Sequence, residues 1–235
     1  MQIVYAGLER DLTQWKANYG PDINPASPVS FTPYQLPDGR LKVTNVGAVK
    51  FAGGLVSRKL MPLVPPSISG FTLSYAKLST KILIPFTCLY NVARLETDLM
   101  YVVNPAPTST TVIPNRFNGS TQLNFDTGHF MIDASSGSAA WSDIGGGPGK
   151  DIAPDVAHLL EIRYQFDYAN LKTSTLSISW DGIAYPVPTN LQGVGCQSSN
   201  WTAVASIQKQ TEMYNPGSVD VVYDATTLIF SDQPL

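Results

Sequence analysis

The most chemically loaded stretch of the chain runs Ala-Arg-Leu-Glu-Thr-Asp-Leu-Met-Tyr-Val-Val from Ala93 to Val103, with Arg94, Glu96 and Asp98 at every second position of an otherwise apolar run. Side chains alternate between the two faces of an extended strand, so Arg94, Glu96, Asp98 and Met100 share one side, and Leu95, Thr97, Leu99 and Tyr101 the other. The two carboxylates would stand roughly 6.5–7 Å apart at their Cα atoms. Such a pair can act on a substrate as acid, base or nucleophile. It can also accept hydrogen bonds from a ligand's hydroxyls, with the arginine holding the acids or reading an acidic group. A solvated strand face without a ligand is the third reading, because an amphipathic strand must put polar residues somewhere.

A second polar ladder lies in the stretch from Trp201 to Met213, where Val204, Ser206, Gln208, Gln210 and Glu212 fall on one face. Glutamine carries both donor and acceptor, so Gln208 and Gln210 suit hydroxyl-rich ligands, and Glu212 is a further acid or base. Arg163, Gln165 and Asp167 form a similar polar face. Among the tryptophans, Trp141 precedes a glycine-rich stretch and reads as a loop platform, while Trp15 and Trp180 read as packing residues. His129 and His158 stand alone, without a Ser or Cys nucleophile motif, and take core or surface roles. No D-x-D-x-D-G loop or His/Cys cluster signals a metal, and no cofactor motif is present. The GGGPG stretch lacks the Lys-Ser/Thr of a phosphate loop and reads as a hinge or lid.

Strands must position these residues. Prolines and glycines punctuate the chain, and the segments between are short, β-branched and aromatic, which predicts an all-β, two-sheet antiparallel sandwich. From Leu159 to Tyr168, Leu160, Ile162, Tyr164 and Phe166 alternate with polar residues. Asp181-Gly182 between two β-rich segments predicts a hairpin with a type I′ turn. Further strands are expected over 71–78, 88–103, 128–134, 201–213 and 219–230, with long loops over 21–37 and 105–114. No fixed-period repeat is present, which disfavours propellers and solenoids.

The chain has 235 residues, 14% of them charged, and a net charge of −3. This length fits one domain over residues 1–235, and the charge provides no basic surface for nucleic acid. No apolar run reaches the roughly 20 residues of a membrane-spanning helix. Low charge and abundant Ser, Thr, Asn, Gly and Pro lean towards an extracellular protein with its leader absent from this chain, and a cytoplasmic location stays open. Cys88 and Cys196 allow at most one disulfide, and a buried thiol is the plainer reading of Cys88.

Three stretches add up to a resemblance. RDLTQWKANYG resembles the D-L-x-x-W opening strand of many concanavalin A-like sandwich domains, SISWDGIAYPV their late hairpin, and VDVVYDATTLIFSD the closing strand that returns beside the first. The resemblance implies a jelly roll whose concave sheet holds sugar. LETDLMY also resembles the E-x-D-x-x-E strand of family 16 glycoside hydrolases, in which the first glutamate is the nucleophile, the aspartate orients it and the last glutamate is the acid/base. Glu96 and Asp98 match the first two positions, and Tyr101 occupies the third.

Retaining hydrolysis needs two carboxyl groups about 5–5.5 Å apart, and a tyrosine with an ordinary pKa near 10 is a weak proton donor. Without a bulge, Tyr101 also faces away from Glu96. The leading expectation is therefore a lectin-like module binding an oligo- or polysaccharide around Arg94, Glu96, Asp98, Gln208 and Gln210, with Trp141 as platform. One alternative is a glycoside hydrolase or polysaccharide lyase using Glu96, Asp98 and a displaced Glu212. Against the lyase version, the stretch SIQKQTEMY has Gln, Lys and Tyr but no His. A structural or adhesive jelly roll is the other alternative.

Overall fold

The computed structural model describes residues 2–18, 29–49, 53–60, 73–102, 115–134, 141–195, 197–198 and 205–235. Seventeen strands are found among them: β1 (Gln2–Tyr5), β2 (Trp15–Asn18), β3 (Val29–Gln35), β4 (Leu41–Gly47), β5 (Gly53–Leu60), β6 (Tyr75–Leu83), β7 (Val92–Val102), β8 (Asn115–Asn124), β9 (His129–Asp133), β10 (Trp141–Asp143), β11 (Ala157–Asp167), β12 (Lys172–Trp180), β13 (Ile183–Pro186), β14 (Val194–Gly195), β15 (Gln197–Ser198), β16 (Ala205–Met213) and β17 (Gly217–Ser231). Among the described residues, helix is confined to the turn Phe86–Leu89 and three 3-10 turns.

The strands form two antiparallel sheets. A nine-stranded back sheet runs β13-β12-β11-β6-β17-β4-β3, with β1 on β17 and β14 on β12. An eight-stranded front sheet runs β10-β9-β8-β7-β16-β5-β2, with β15 on β8. The closing strand β17 pairs with β1, Gln2 opposite Ser231, and not with the RDLTQWKANYG stretch expected beside it, whose strand β2 lies at the edge of the front sheet.

Alternation puts one face of each sheet into the space between them, where removal of apolar surface from water supplies the main stabilisation. The expected inward set Leu160, Ile162, Tyr164 and Phe166 is buried in β11. Tyr101, Phe117, Phe166 and Phe230 form an aromatic cluster across the two sheets, with Tyr101 centroids 5.0 Å from Phe166 and 4.9 Å from Phe230. Each such pair adds about 0.5–1.5 kcal/mol beyond its buried area. Polar side chains also enter the core, among them Asn45, Thr97, Thr211 and a lysine. Lys209 on β16 is 0% exposed, its Nζ 3.5 Å from Thr97 Oγ1 and 5.0 Å from the centroid of the Tyr223 ring. Burial pushes its pKa down to about 7.

The predicted Asp-Gly hairpin joins β12 to β13, with Asp181 at φ 49° and Gly182 at φ 83°, the left-handed pair that a type I′ turn requires. Asp181 Oδ1 accepts from the Leu159 amide at 2.8 Å, and its other oxygen lies 2.6 Å from His158 Nδ1. Trp15, Trp180 and His158 are buried, as expected of packing residues.

Four local expectations need correction. The opening stretch Arg10 to Trp15 forms 3-10 turns, with β2 starting only at Trp15, because Asp11 caps the Thr13 amide and Trp15 Nε1 donates to Leu8 O. Within the expected loop 21–37, residues 29–35 are strand β3. Pro33 is tolerated there because β3 is a sheet edge. The strand expected over 71–78 is β6, which runs on to Leu83. The glycine-rich stretch is no free hinge: Phe130 N donates to Gly146 O and Gly149 N to Gly128 O, and a Cβ on Gly128 would lie 2.2 Å from the Gly149 backbone. Cys88 is a buried free thiol, and Cys196 and the expected loop 105–114 lie outside the described residues. No helix among the described residues is long and apolar enough to cross a membrane.

Candidate functional site

Strand β7 sits at the centre of the front sheet, between β8 and β16. Its register runs unbroken from Arg94 to Tyr101 against both neighbours, so no bulge follows Asp98. Alternation therefore holds: Tyr101 points into the core, and Arg94, Glu96, Asp98 and Met100 point outward. Directly opposed residues share a face, which assembles four cross-strand rows on the outside of the front sheet. They are Ser206–Met100–Asn118, Gln208–Asp98–Ser120, Gln210–Glu96–Gln122 and Glu212–Arg94–Asn124.

The centre of this face is recessed. Asp98 is 6% exposed, Gln122 2% and Ser206 0%, although all three point away from the core. Burial, and after it the neighbouring Asp98 carboxylate, pushes the Glu96 pKa up to about 10. Burial also raises Asp98, while hydrogen bonds from Glu96 and Ser120 hold it below Glu96. Both acids are thus held above the ordinary carboxylate range, Glu96 the more so, and the pair shares a proton through a direct hydrogen bond, with Glu96 accepting from Gln122 Nε2 at 3.4 Å. Three buried polar atoms around this floor have no hydrogen-bond partner: Asp98 Oδ1, Asn118 Oδ1 and Ser206 Oγ. Desolvated acceptors without donors cost free energy, and a donor brought by a ligand would remove that cost.

Towards the other end, Arg94 donates to Glu212 at 3.1 Å, and Gln210 Nε2 to the second Glu212 oxygen at 3.3 Å. Gly53, opposite Glu212, leaves the room that side chain uses, since a Cβ there would lie 2.8 Å from Glu212 Cγ. Trp141 opens edge strand β10, where a loop was expected, and pairs with Asp133. His129 extends the Arg94 row beyond Asn124, its Nδ1 2.9 Å from Asp143. Arg163, Gln165 and Asp167 belong to the back sheet, away from this face.

The glycosidase geometry is not met by Glu96 and Asp98 themselves. Directly hydrogen-bonded carboxyl groups leave no room for a sugar bond between them. Glu212 shares the face as a diagonal neighbour of Glu96, a relation that places Cα atoms about 7–8 Å apart. Sequence reading missed Asn118, Ser120 and Gln122 because no strand was expected over residues 115–124. The signal was the alternation of Phe117, Thr121 and Leu123, with Gly119 at the inward position where Tyr164 approaches: a Cβ there would lie 2.3 Å from its ring.

No protein family and no curated protein matches the sequence. Solved structures do match. A lectin from Bauhinia forficata in complex with GalNAc aligns over 99% of this chain and 100% of its own, with a TM-score of 0.51 and 8% identity. The fold is the concanavalin A-like jelly roll. Lectin I from Ulex europaeus, in complex with the methyl glycoside of α-L-fucose, aligns over 96% and 98% of the two chains (TM-score 0.48, 9% identity). An alginate lyase in complex with alginate trisaccharide aligns over 97% and 93% (TM-score 0.47, 12% identity). At such identities the likeness concerns the jelly roll alone, and ligand and chemistry must come from this chain's own residues.

Proposed function

We propose that this protein binds a glycan on the outer face of its front sheet, along the rows that Arg94, Glu96 and Asp98 form with Gln208, Gln210, Ser120 and Gln122. The observation that carries this reading is the recessed floor with unpartnered acceptors at Asp98 Oδ1 and Asn118 Oδ1, which the hydroxyl donors of a ligand would satisfy. Amides and carboxylates at strand spacing suit the hydroxyls of a sugar chain, and Trp141 at the sheet edge provides an apolar plane for a pyranose face. The lectins that share the jelly roll bind sugars, in keeping with this reading. Titration with a polysaccharide panel tests it: Glu96→Ala and Asp98→Ala each weaken binding, and unchanged affinity in both variants removes the site.

A hydrolase using Glu96 and Glu212 is the second reading, favoured by their shared face. Incubating the same panel with wild type and Glu96→Gln and scoring new reducing or unsaturated ends decides it. Binding alone predicts no product; product that disappears in Glu96→Gln would make Glu96 catalytic.

A further inference from the structure

His158 stands near the start of β11 with its ring buried and both nitrogens facing oxygen. Nδ1 lies 2.6 Å from Asp181 Oδ2, and Nε2 lies 2.9 Å from the Ala153 carbonyl oxygen. A carboxylate and a carbonyl only accept hydrogen bonds, whereas a neutral imidazole carries one N–H and one lone pair. A neutral ring would therefore turn a lone pair on one of the two oxygens. The imidazolium donates at both ends. Asp181 supplies the countercharge, and the ring stacks on Trp180, centroids 5.1 Å apart and planes at 23°, where the indole face favours a cation.

The two oxygens belong to separate segments. Asp181 opens the hairpin turn between β12 and β13, and its other oxygen and its amide are fixed by Leu159 whatever the charge of the ring. Ala153 lies in the connection from β10 to β11, whose outer ties are Gly149 N to Gly128 O and Asp155 N to Ile84 O. Between those ties, residues 150–154 are held by the buried Ile152 side chain and by the His158 bond to Ala153 O. When the ring loses a proton, the carboxylate retains the Nδ1 hydrogen, so the bond to the connection is the one that fails. The same connection leads out of β10, which carries Trp141, and Trp180 packs on Phe130 of the adjoining β9 at 6.3 Å. The proton on a back-sheet ring thus bears on one flank of the front sheet.

Among the described residues, Asp181 is the one charged group bonded to the ring. In the connection, Asp155 is taken up by the Phe86 amide at 3.1 Å, and Lys150 and Asp151 are exposed. On β6, Ile82 stands opposite His158 with Tyr223 of β17 beyond it, while Lys81 stands opposite Leu159 and Asp224 in the next row. Glu161 of β11 takes Lys77, and Tyr185 of β13 packs on Phe130.

We infer that His158 is a proton-operated latch: doubly protonated, it clamps the 150–154 connection to the Asp181-Gly182 hairpin, and loss of one proton releases the connection while the hairpin stays bound. The latch is closed at low pH and opens as pH rises, a direction set by the two acceptors. It does not depend on the glycan-binding reading.

Nitrogen NMR of the imidazole in the full chain from about pH 5 to about pH 9 reads the protons, and amide hydrogen exchange over the same range reads the connection. Both ring nitrogens should carry a proton at the acid end, and one should lose it as pH rises. Across that change, protection of the Gly149 and Asp155 amides, corrected for intrinsic exchange, should fall by about tenfold or more, the scale of a lost hydrogen bond to a charged group. Asp181→Asn gives the decisive contrast. Asparagine tolerates the left-handed backbone at φ 49°, its oxygen still accepts from Leu159 N, and its amide donates to Nδ1, so a neutral ring donates from Nε2 to Ala153 O. In that variant the two amides should stay protected across the range. His158→Phe, which keeps the stack on Trp180 without either donor, should show low protection throughout. A singly protonated ring at the acid end, wild-type protection that ignores pH, or a pH dependence that survives in Asp181→Asn would each overturn the latch.

Discussion

Glu96→Gln separates a proton-sharing pair from an ionised one. Glutamine copies the shape of a protonated glutamic acid, can still donate to Asp98 and can still accept from Gln122, so the folded state keeps its contacts. In the wild type, Glu96 is raised from the ordinary 4.5 to about 10, first by burial and then by Asp98. A folded acid with a raised pKa keeps a proton that the unfolded chain releases. Stability is therefore undiminished below about pH 4.5 and falls as pH rises from there towards 10. Between 4.5 and 7, at about 1.36 kcal/mol per pH unit, Glu96 costs the fold about 3 kcal/mol. Glu96→Gln should remove this cost. Urea unfolding with linear extrapolation at pH 4 and pH 7 reads it directly. The two proteins should agree within about 1 kcal/mol at pH 4, and the variant should be about 2–3 kcal/mol more stable at pH 7. A variant less stable at pH 7, with an unchanged pH slope, would mean that Glu96 is ionised in the fold. The proton-sharing pair would then be wrong, and a nucleophilic glutamate would return.

Lys209→Met should stabilise the protein at pH 7 by about 2 kcal/mol or more, because an ammonium buried against Thr97 and Tyr223 is replaced by an apolar chain of similar length. Its folded pKa near 7 lies below the ordinary 10.5, so wild-type stability rises with pH across that window, and the variant should lose the rise; chemical denaturation at pH 7 and 9.5 checks both. Gly119→Ala should lower stability by about 1–3 kcal/mol, since its Cβ would overlap the Tyr164 ring inside the sandwich, as a thermal melt will show. Trp141→Ala should weaken glycan binding by about tenfold while leaving the melting temperature near that of wild type, because Trp141 lies on an edge strand of three residues.

Alternation made the strand faces legible. Arg94, Glu96 and Asp98 on one side of β7, Gln208, Gln210 and Glu212 on one side of β16, and the inward set of β11 all follow from a period of two with one face buried. Asp181-Gly182 was equally readable, because few residue pairs adopt two successive left-handed conformations. What escaped the sequence was set by long-range packing. No strand was expected over residues 115–124, where Gly119 admits Tyr164 from the other sheet. Pro33 read as a loop marker, although an edge strand needs no amide at that position. Lys209 alternates with Gln208 and Gln210 and so could be assigned inward, but nothing local showed that Thr97 and Tyr223 would receive it. The pairing of Glu96 with Asp98 was visible as spacing, whereas its shared proton depends on how deeply Gln122 and Ser206 lie around it.

Amide-resolved NMR titration of the protein with a glycan that binds is the most direct test of the site. The account predicts chemical-shift changes concentrated on Glu96 and Asp98 of β7, Asn118 to Gln122 of β8 and Ser206 to Gln210 of β16, and absent from the same spectra of Asp98→Asn at equal glycan concentration. Changes confined to the back sheet or to the turns at the ends of the strands, with the central rows of the front sheet silent, would contradict it.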